Sequence, residues 1–168
     1  MAWPTRAPQA RRAGSLSGMN TIEIGTVAPR VPGIEFGDGP VALVFFKVTC
    51  PVCGMAAPKI DLLGRAYAER VVGIGQDPPE ALEAFGREFG MGVRTITDAP
   101  PYDLSNAYGI EVVPTLVLVG PDGTVADTVV SWDREGYNRV AGRLAELTGA
   151  APVVVSEEGD GLPAFRPG

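Results

Sequence analysis

Histidine is absent from the 168-residue chain, and cysteine occurs only twice. A zinc site needs about four ligands drawn from cysteine, histidine and acidic side chains, so we expect no metal. The segment Gly73-Ile74-Gly75 lacks the third glycine of a dinucleotide-binding loop, and no cofactor is predicted. A single disulfide would stabilise a domain of this size only weakly. The cysteine content therefore argues against a secreted disulfide scaffold and favours a cytoplasmic protein.

Long hydrophobic runs and excess positive charge are missing as well. No segment approaches the roughly twenty apolar residues that a membrane span requires, so we expect no membrane partner. The chain carries 14 basic and 20 acidic residues, a formal net charge of −6, which argues against a nucleic-acid partner. With 45% hydrophobic residues, the composition is typical of one soluble domain with a sizeable core.

The two cysteines stand together in the motif Cys50-Pro51-Val52-Cys53, between an apolar stretch and a predicted helix. Two intervening residues place both sulfurs within one helical turn, where a disulfide can open and close. The first sulfur faces the unpaired N–H groups of the helix start, which favour a thiolate. We therefore predict a redox pair with Cys50 as nucleophile and Cys53 as resolving thiol.

Two prolines downstream fit the same interpretation. Pro58 lies inside an apolar pattern of helical period, so the helix should continue through it. Pro114 opens the β-branched stretch Thr115-Leu116-Val117. A proline has no N–H for a central strand ladder, so Pro114 should be the first residue of its strand and a candidate cis peptide.

Together these motifs resemble the thioredoxin superfamily, and within it the redoxin group. That group includes thiol-disulfide oxidoreductases and the alkyl hydroperoxide reductase and thiol-specific antioxidant proteins. The similar segments are Thr49 to Cys53, Pro58, Val113 to Thr115, Gly25 to Pro29 and Val71 to Asp77. The resemblance implies an α/β fold, a thioredoxin-like three-layer α/β/α arrangement with a mixed central sheet.

The resemblance also implies roles for particular residues. Pro114 would be the cis-proline beside the cysteines, and Val113 and Pro51 would contact an extended substrate. Thr49, next to Cys50, could offer a hydroxyl to the reaction. The implied partners are protein or small-molecule disulfides and thiols, together with an external reductant such as a thioredoxin or glutathione system.

The proton acceptor for Cys53 stays open at this point. Thioredoxins carry a buried acid six residues before the first cysteine, where this chain has Val44. Some extracytoplasmic relatives place a glutamate three residues after the second cysteine, where this chain has Ala56. The remaining candidates are Glu111, Asp98 or water.

Two other functions compete with the oxidoreductase. A thiol peroxidase would use Cys50 against peroxide and Cys53 for resolution. Peroxiredoxins typically have threonine or serine three residues before the reactive cysteine and proline four earlier, where this chain has Lys47 and Leu43. That pattern is broken, although the Thr49 hydroxyl keeps the peroxidase open. The third candidate is a non-catalytic binding module that senses redox state.

The chain divides into three parts. Residues 1–20 are predicted to be a disordered extension, or a segment before a true start at Met19. Residues 21–149 form the thioredoxin-like domain, and residues 150–168 form a polar, mobile tail whose segment 162–165 could dock on the domain or a partner.

Alternating patterns predict the elements of the domain. Asp77 should cap the helix that ends near Phe89, and Trp132 should pack at the surface before the last helix. Strands are predicted at residues 41–47, 71–75, 95–97, 115–119 and 125–130, and helices at 51–69, 77–89, 104–108 and 133–148.

Overall fold

The computed structural model describes residues 21–168; the predicted N-terminal extension lies outside the described residues. The strands are β1 Val41–Phe46, β2 Val71–Gly75, β3 Arg94–Thr97, β4 Thr115–Val119, β5 Val125–Val130, β6 Trp132–Asp133 and β7 Phe165–Arg166. The helices are α1 Pro51–Ala66, α2 Pro79–Phe89, α3 Asp103–Ala107 and α4 Arg134–Thr148.

Five strands form the central sheet in the order β3-β2-β1-β4-β5. Strands β1, β2 and β3 are parallel, whereas β4 runs antiparallel to both β1 and β5. The three central strands are buried along their whole length, which explains their continuous apolar sequences. The predicted mixed sheet is confirmed.

Helices cover both faces of this sheet. Alternate residues of β1 point to opposite sides, as strand geometry requires. Ala42, Val44 and Phe46 join a core with α1, α2 and α4, while Leu43 and Phe45 join a second core with Tyr108, just after α3. The predicted thioredoxin-like α/β/α layering is therefore confirmed.

The start of α2 differs from the prediction. No side chain caps this helix, whose first residue Pro79 follows Pro78 in extended conformation. The Asp77 carboxylate instead accepts a hydrogen bond of 2.9 Å from the backbone N–H of Val48. The loop after β1 thus takes the acid that local sequence assigns to the helix start, because a tertiary partner competes with the local cap.

Trp132 is fully buried, so the prediction of surface packing is wrong. Its ring lies 4.7 Å from that of Tyr137 in α4, measured between ring centroids. Its indole N–H donates to the Pro163 carbonyl at 2.7 Å. The C-terminal segment supplies the cover and the polar partner that a buried tryptophan needs.

The segment predicted to be a mobile tail packs against the domain. Val155 and Ser156 are buried, and Asn138 of α4 accepts hydrogen bonds from both of their backbone N–H groups. Further along, β7 pairs antiparallel with β6. The predicted docking of residues 162–165 thus occurs on the chain's own domain.

Candidate active site

The Cys50 sulfur lies at the N-terminus of α1, directly after the central strand β1. Cys50 is the N-cap residue, and its sulfur accepts a 3.2 Å hydrogen bond from the backbone N–H of Cys53. Pro51, at the first helical position, has no N–H of its own to satisfy. The predicted geometry, in which the first sulfur faces the helix N–H groups, is present.

The Cys53 sulfur points inward from the same helical turn. Its residue is 1% exposed and belongs to the core beneath α1. Burial, and to a lesser extent the neighbouring Cys50 sulfur, raises the pKa of the Cys53 thiol far above its ordinary value. Both cysteines are free thiols in this structure. The motif therefore combines a partly exposed sulfur with a buried, protonated one.

The loop before β4 forms the other wall of the site. Because β4 is antiparallel to β1, its first residue, Thr115, pairs with Phe45 near the end of β1. The Val113–Pro114 bond is cis, as predicted, and Pro114 is buried. The Cys50 thiol lies 3.4 Å from the Val113 carbonyl, to which it can donate a hydrogen bond.

Other predicted residues surround this contact. Thr49 and Pro51 are exposed on either side of Cys50, and Val113 is half-buried. Lys47 is also half-buried, and its carbonyl accepts the Cys50 backbone N–H at 3.1 Å. The structure brings all of these residues to one edge of the sheet, whereas their roles in a reaction stay predictions.

Of the candidate proton acceptors, Asp98 holds the start of α3. Its buried carboxylate accepts hydrogen bonds from the backbone N–H groups of Leu104 and Ser105 and from the Ser105 hydroxyl, at 2.7 to 3.0 Å. These hydrogen bonds give Asp98 a structural role at the start of α3. Glu111 is exposed two residues before Val113, so it stays a candidate together with water.

Tyr137 is a residue near the cysteines that sequence reasoning missed. It is fully buried in the same core as Cys53, and its hydroxyl has no hydrogen-bond partner among residues 21–168. Burial, and to a lesser extent negative charge at Cys53 and Cys50, raises its pKa. Nothing in the helical pattern of α4 distinguishes this tyrosine from an ordinary core residue.

Other kinds of site receive no support from the described part of the chain. Among residues 21–168, no three or more histidine, cysteine or acidic side chains converge to hold a metal ion. None of the helices described there is long and apolar enough to cross a membrane. A cavity of about 640 Å³, lined by Val41, Val71 and Arg94 among others, lies at the opposite ends of the parallel strands from Cys50.

Residues 33–128 match the AhpC/TSA family, and the chain therefore belongs to that family. No protein with a curated description matches the sequence significantly. The matched range contains β1 to β4, the cysteine motif and the cis-proline loop. The predicted membership of the redoxin group is confirmed.

Solved structures of thioredoxin-like proteins have the same fold. A secreted disulfide oxidoreductase of Mycobacterium tuberculosis, homologous to E. coli DsbE, is 24% identical, with a TM-score of 0.54 over 65% of this chain and 82% of that protein. The thioredoxin domain of a Bacteroides vulgatus thiol-disulfide oxidoreductase is 20% identical, with a TM-score of 0.62 over 74% and 99%. A thiol:disulfide interchange protein of Chlorobium tepidum is 19% identical, with a TM-score of 0.54 over 65% and 81%.

Family and fold together define the class. The chain is a redoxin-family protein with the fold of thiol-disulfide oxidoreductases, and its two cysteines lie close together at the start of α1. A fold does not define a reaction, a substrate or a reductant, which depend on the residues of the site.

Proposed function

We propose that the protein is a thiol-disulfide oxidoreductase that works through a mixed disulfide at Cys50. The observation that carries the proposal is the position of the Cys50 sulfur, between the N–H of Cys53 at 3.2 Å and the Val113 carbonyl at 3.4 Å. The helix N–H groups stabilise negative charge on this sulfur. Its partial exposure leaves room for a partner sulfur.

In the first step the Cys50 thiolate attacks one sulfur of a partner disulfide. A Cys50–partner S–S bond forms, the partner's own S–S bond breaks, and its second sulfur leaves as a thiolate that takes up a proton. In the second step Cys53 loses its proton to Glu111 or water and attacks the Cys50 sulfur. The Cys50–partner bond breaks, the partner sulfur leaves as a thiolate that takes up a proton, and a Cys50–Cys53 disulfide forms. The partner has then gained two electrons as a dithiol, and the two cysteines have lost them.

An external reductant then restores the dithiol form. A thioredoxin or glutathione system supplies the two electrons, and protein or small-molecule disulfides receive them. The net direction depends on the relative stability of the dithiol and disulfide forms. The single cysteine pair supports a cytoplasmic location, which fractionation of cells that produce the full chain would test.

The deciding experiment uses the Cys53→Ser variant. Without the resolving thiol, Cys50 should form a mixed disulfide with a disulfide-containing partner, and this adduct should persist on a non-reducing gel. The Cys50→Ser variant is the matched control and should form no such adduct. Absence of the adduct in Cys53→Ser would overturn the oxidoreductase, and absence of fast peroxide reaction as well would leave the redox-sensing binding module.

Rapid mixing of reduced Cys53→Ser with hydrogen peroxide tests the thiol peroxidase. Lys47 and Leu43 replace the peroxide-activating residues, so Cys50 should become sulfenic acid no faster than an ordinary free thiol does. A rate several orders of magnitude faster would replace the oxidoreductase with a peroxidase.

A further inference from the structure

The C-terminal segment, residues 162–168, runs across the surface that carries the cysteine motif. Its backbone is held by β6 and the start of α4: Phe165 pairs with Asp133 and Arg166 with Trp132, and the Ala164 carbonyl accepts the Arg134 N–H at 2.9 Å. From residue 163 to residue 168 every residue is exposed. The segment is therefore attached to the surface mainly through its backbone.

A charged cluster around Asp160 anchors the segment. The Asp160 carboxylate lies 2.9 Å from the Lys59 ammonium of α1 and 3.6 Å from the Arg134 guanidinium of α4. The carboxylate also accepts the Ser156 hydroxyl at 2.7 Å and the Leu162 backbone N–H at 3.0 Å. The anchor thus joins the segment to the helix that begins at Cys50.

The far end of the segment reaches the cis-proline loop. The Gly168 backbone N–H donates to the Ser131 hydroxyl at 3.1 Å, and Ser131 in turn donates its N–H to the Pro114 carbonyl. Gly168 lies so close to Val113 that an added Cβ would overlap the Val113 carbonyl. This is the same carbonyl that lies 3.4 Å from the Cys50 sulfur.

A second contact lies beside the motif. The Arg166 guanidinium is 3.7 Å from the thioether sulfur of Met55, two residues after Cys53. Residues 166–168 therefore run from α1 to the Val113 backbone and occupy the surface next to Cys50. A polypeptide that lies along Val113 to present its disulfide would need that surface.

We propose that residues 165–168 determine which disulfides reach Cys50, by occupying the place of a polypeptide substrate. This inference rests on the proposed oxidoreductase function. A small disulfide needs room only at the Cys50 sulfur, whereas an extended polypeptide must first displace the segment from Val113. Residues 163–168 are exposed and held mainly through their backbone, so weakening either the contact at Val113 or the Asp160 anchor should ease their displacement.

The test is the Gly168→Val variant of the whole chain, in which the added Cβ would overlap the Val113 carbonyl and displace residue 168 from it. Gly37→Val is the matched control, because a Cβ at Gly37 meets no atom within 4 Å. We expect Gly168→Val to reduce insulin about fivefold faster, the gain that corresponds to about 1 kcal/mol of segment binding. Reduction of a small aromatic disulfide should be unchanged, and Gly37→Val should match the wild type in both assays.

Asp160→Ala provides a second variant, with Glu158→Ala as a control of equal charge in the same tail. Loss of the anchor should raise insulin reduction in the same direction. Equal insulin rates in the wild type, Gly168→Val and Asp160→Ala would overturn the proposal. So would an equal gain for both disulfides, which would indicate a general change at Cys50.

A labelling measurement separates this proposal from the proposed function. Reduced protein is treated with a polymer-linked maleimide or with iodoacetamide, and the labelled cysteine is identified by peptide mass. Gly168→Val should raise the rate at which the polymer-linked maleimide labels Cys50 and leave the rate for iodoacetamide unchanged. This holds whether or not the protein reduces disulfides. An unchanged rate for the polymer-linked maleimide overturns the proposal for residues 165–168. A faster rate for that reagent alone, in a protein that reduces no disulfide, overturns only the oxidoreductase function.

Discussion

The surface side and the core side of the cysteine motif differ sharply although they are one helical turn apart. On the surface side, the Cys50 sulfur contacts the Cys53 N–H and the Val113 carbonyl, and Gly168 of the C-terminal segment approaches that same carbonyl. On the core side, Cys53 lies in an apolar cluster near the buried hydroxyl of Tyr137. A helix N–H donates to the Cys50 sulfur, whereas burial raises the pKa of the Cys53 thiol.

In the proposed mechanism this difference sets the order of events. The partly exposed Cys50 would meet the partner first, and the buried Cys53 would act only after losing its proton in an apolar site. The two cysteines also differ in their contacts. Cys50 contacts mainly backbone atoms, whereas Cys53 contacts side chains of the core, so the two environments can be tested by separate experiments. Three measurements test the two sides.

The largest expected difference is in the alkylation of the reduced protein. Iodoacetamide should modify Cys50 well before Cys53, because each unit by which the pKa of a thiol rises lowers its thiolate fraction about tenfold. Burial of Cys53 adds a steric barrier to the electrostatic one. Peptide mass analysis over time gives both rates, and unfolding in urea should equalise them. Faster modification of Cys53 in the folded protein would reverse the assigned roles.

A smaller effect is expected in the pH dependence of stability. The pKa of Cys53 is raised in the folded protein by burial, so the unfolded chain loses this proton at lower pH than the folded chain does. The free energy of unfolding is therefore unaffected by Cys53 below the ordinary thiol pKa. It should fall above that value, by on the order of 1 kcal/mol per pH unit, until pH reaches the raised pKa.

Urea unfolding of the reduced protein between neutral pH and pH ~10 measures this slope. Cys53→Ser should show a shallower decline over the same range, because serine does not titrate there. Burial also raises the pKa values of Tyr137 and Tyr108. These tyrosines affect the free energy of unfolding only above the ordinary tyrosine pKa. Equal slopes for the wild type and Cys53→Ser would contradict the buried, protonated state of Cys53.

The smallest effect concerns the tyrosine hydroxyl on the core side. Tyr137→Phe should leave the free energy of unfolding unchanged or raise it by up to about 1 kcal/mol, because the removed hydroxyl is buried without a partner in the described chain. Tyr108→Phe is the matched control: its hydroxyl donates to the Pro29 carbonyl at 2.7 Å. That variant should lose about 1 kcal/mol. A comparable loss in Tyr137→Phe would mean that the hydroxyl is bonded in solution.

Much of the fold could be predicted because its strands carry strong local patterns. The observed bounds of β2, β4 and β5 coincide with the predicted ones. Each is rich in β-branched residues, and turn residues lie close by: Pro114 and Gly120 bound β4, and the turn 120–123 precedes β5. The cysteine motif was equally local: a helix start and a two-residue spacing place the first sulfur on the helix N–H groups wherever the helix packs.

The errors occurred where a tertiary partner competes with a local pattern. Asp77 has the sequence position of a helix cap, yet its carboxylate binds the N–H of Val48, 29 residues away along the chain. Trp132 is predicted to lie near the surface before the last helix, yet it is buried in β6 and donates to the Pro163 carbonyl. The two partners of each contact are about thirty residues apart along the chain, so neither contact could be predicted from local sequence patterns.

Local sequence was enough to predict the kinds of elements, the family and the pair of sulfurs, because hydrophobic period, turn residues and helix-start chemistry all act within a few residues. The surroundings of each sulfur depend instead on contacts between distant parts of the chain. The antiparallel pairing of β4 with β1 brings Val113 to Cys50, and the packing of α4 places Tyr137 in the core of Cys53. The path of residues 162–168 depends on contacts with Lys59, about a hundred positions earlier, and such long-range contacts exist only once the whole chain has folded.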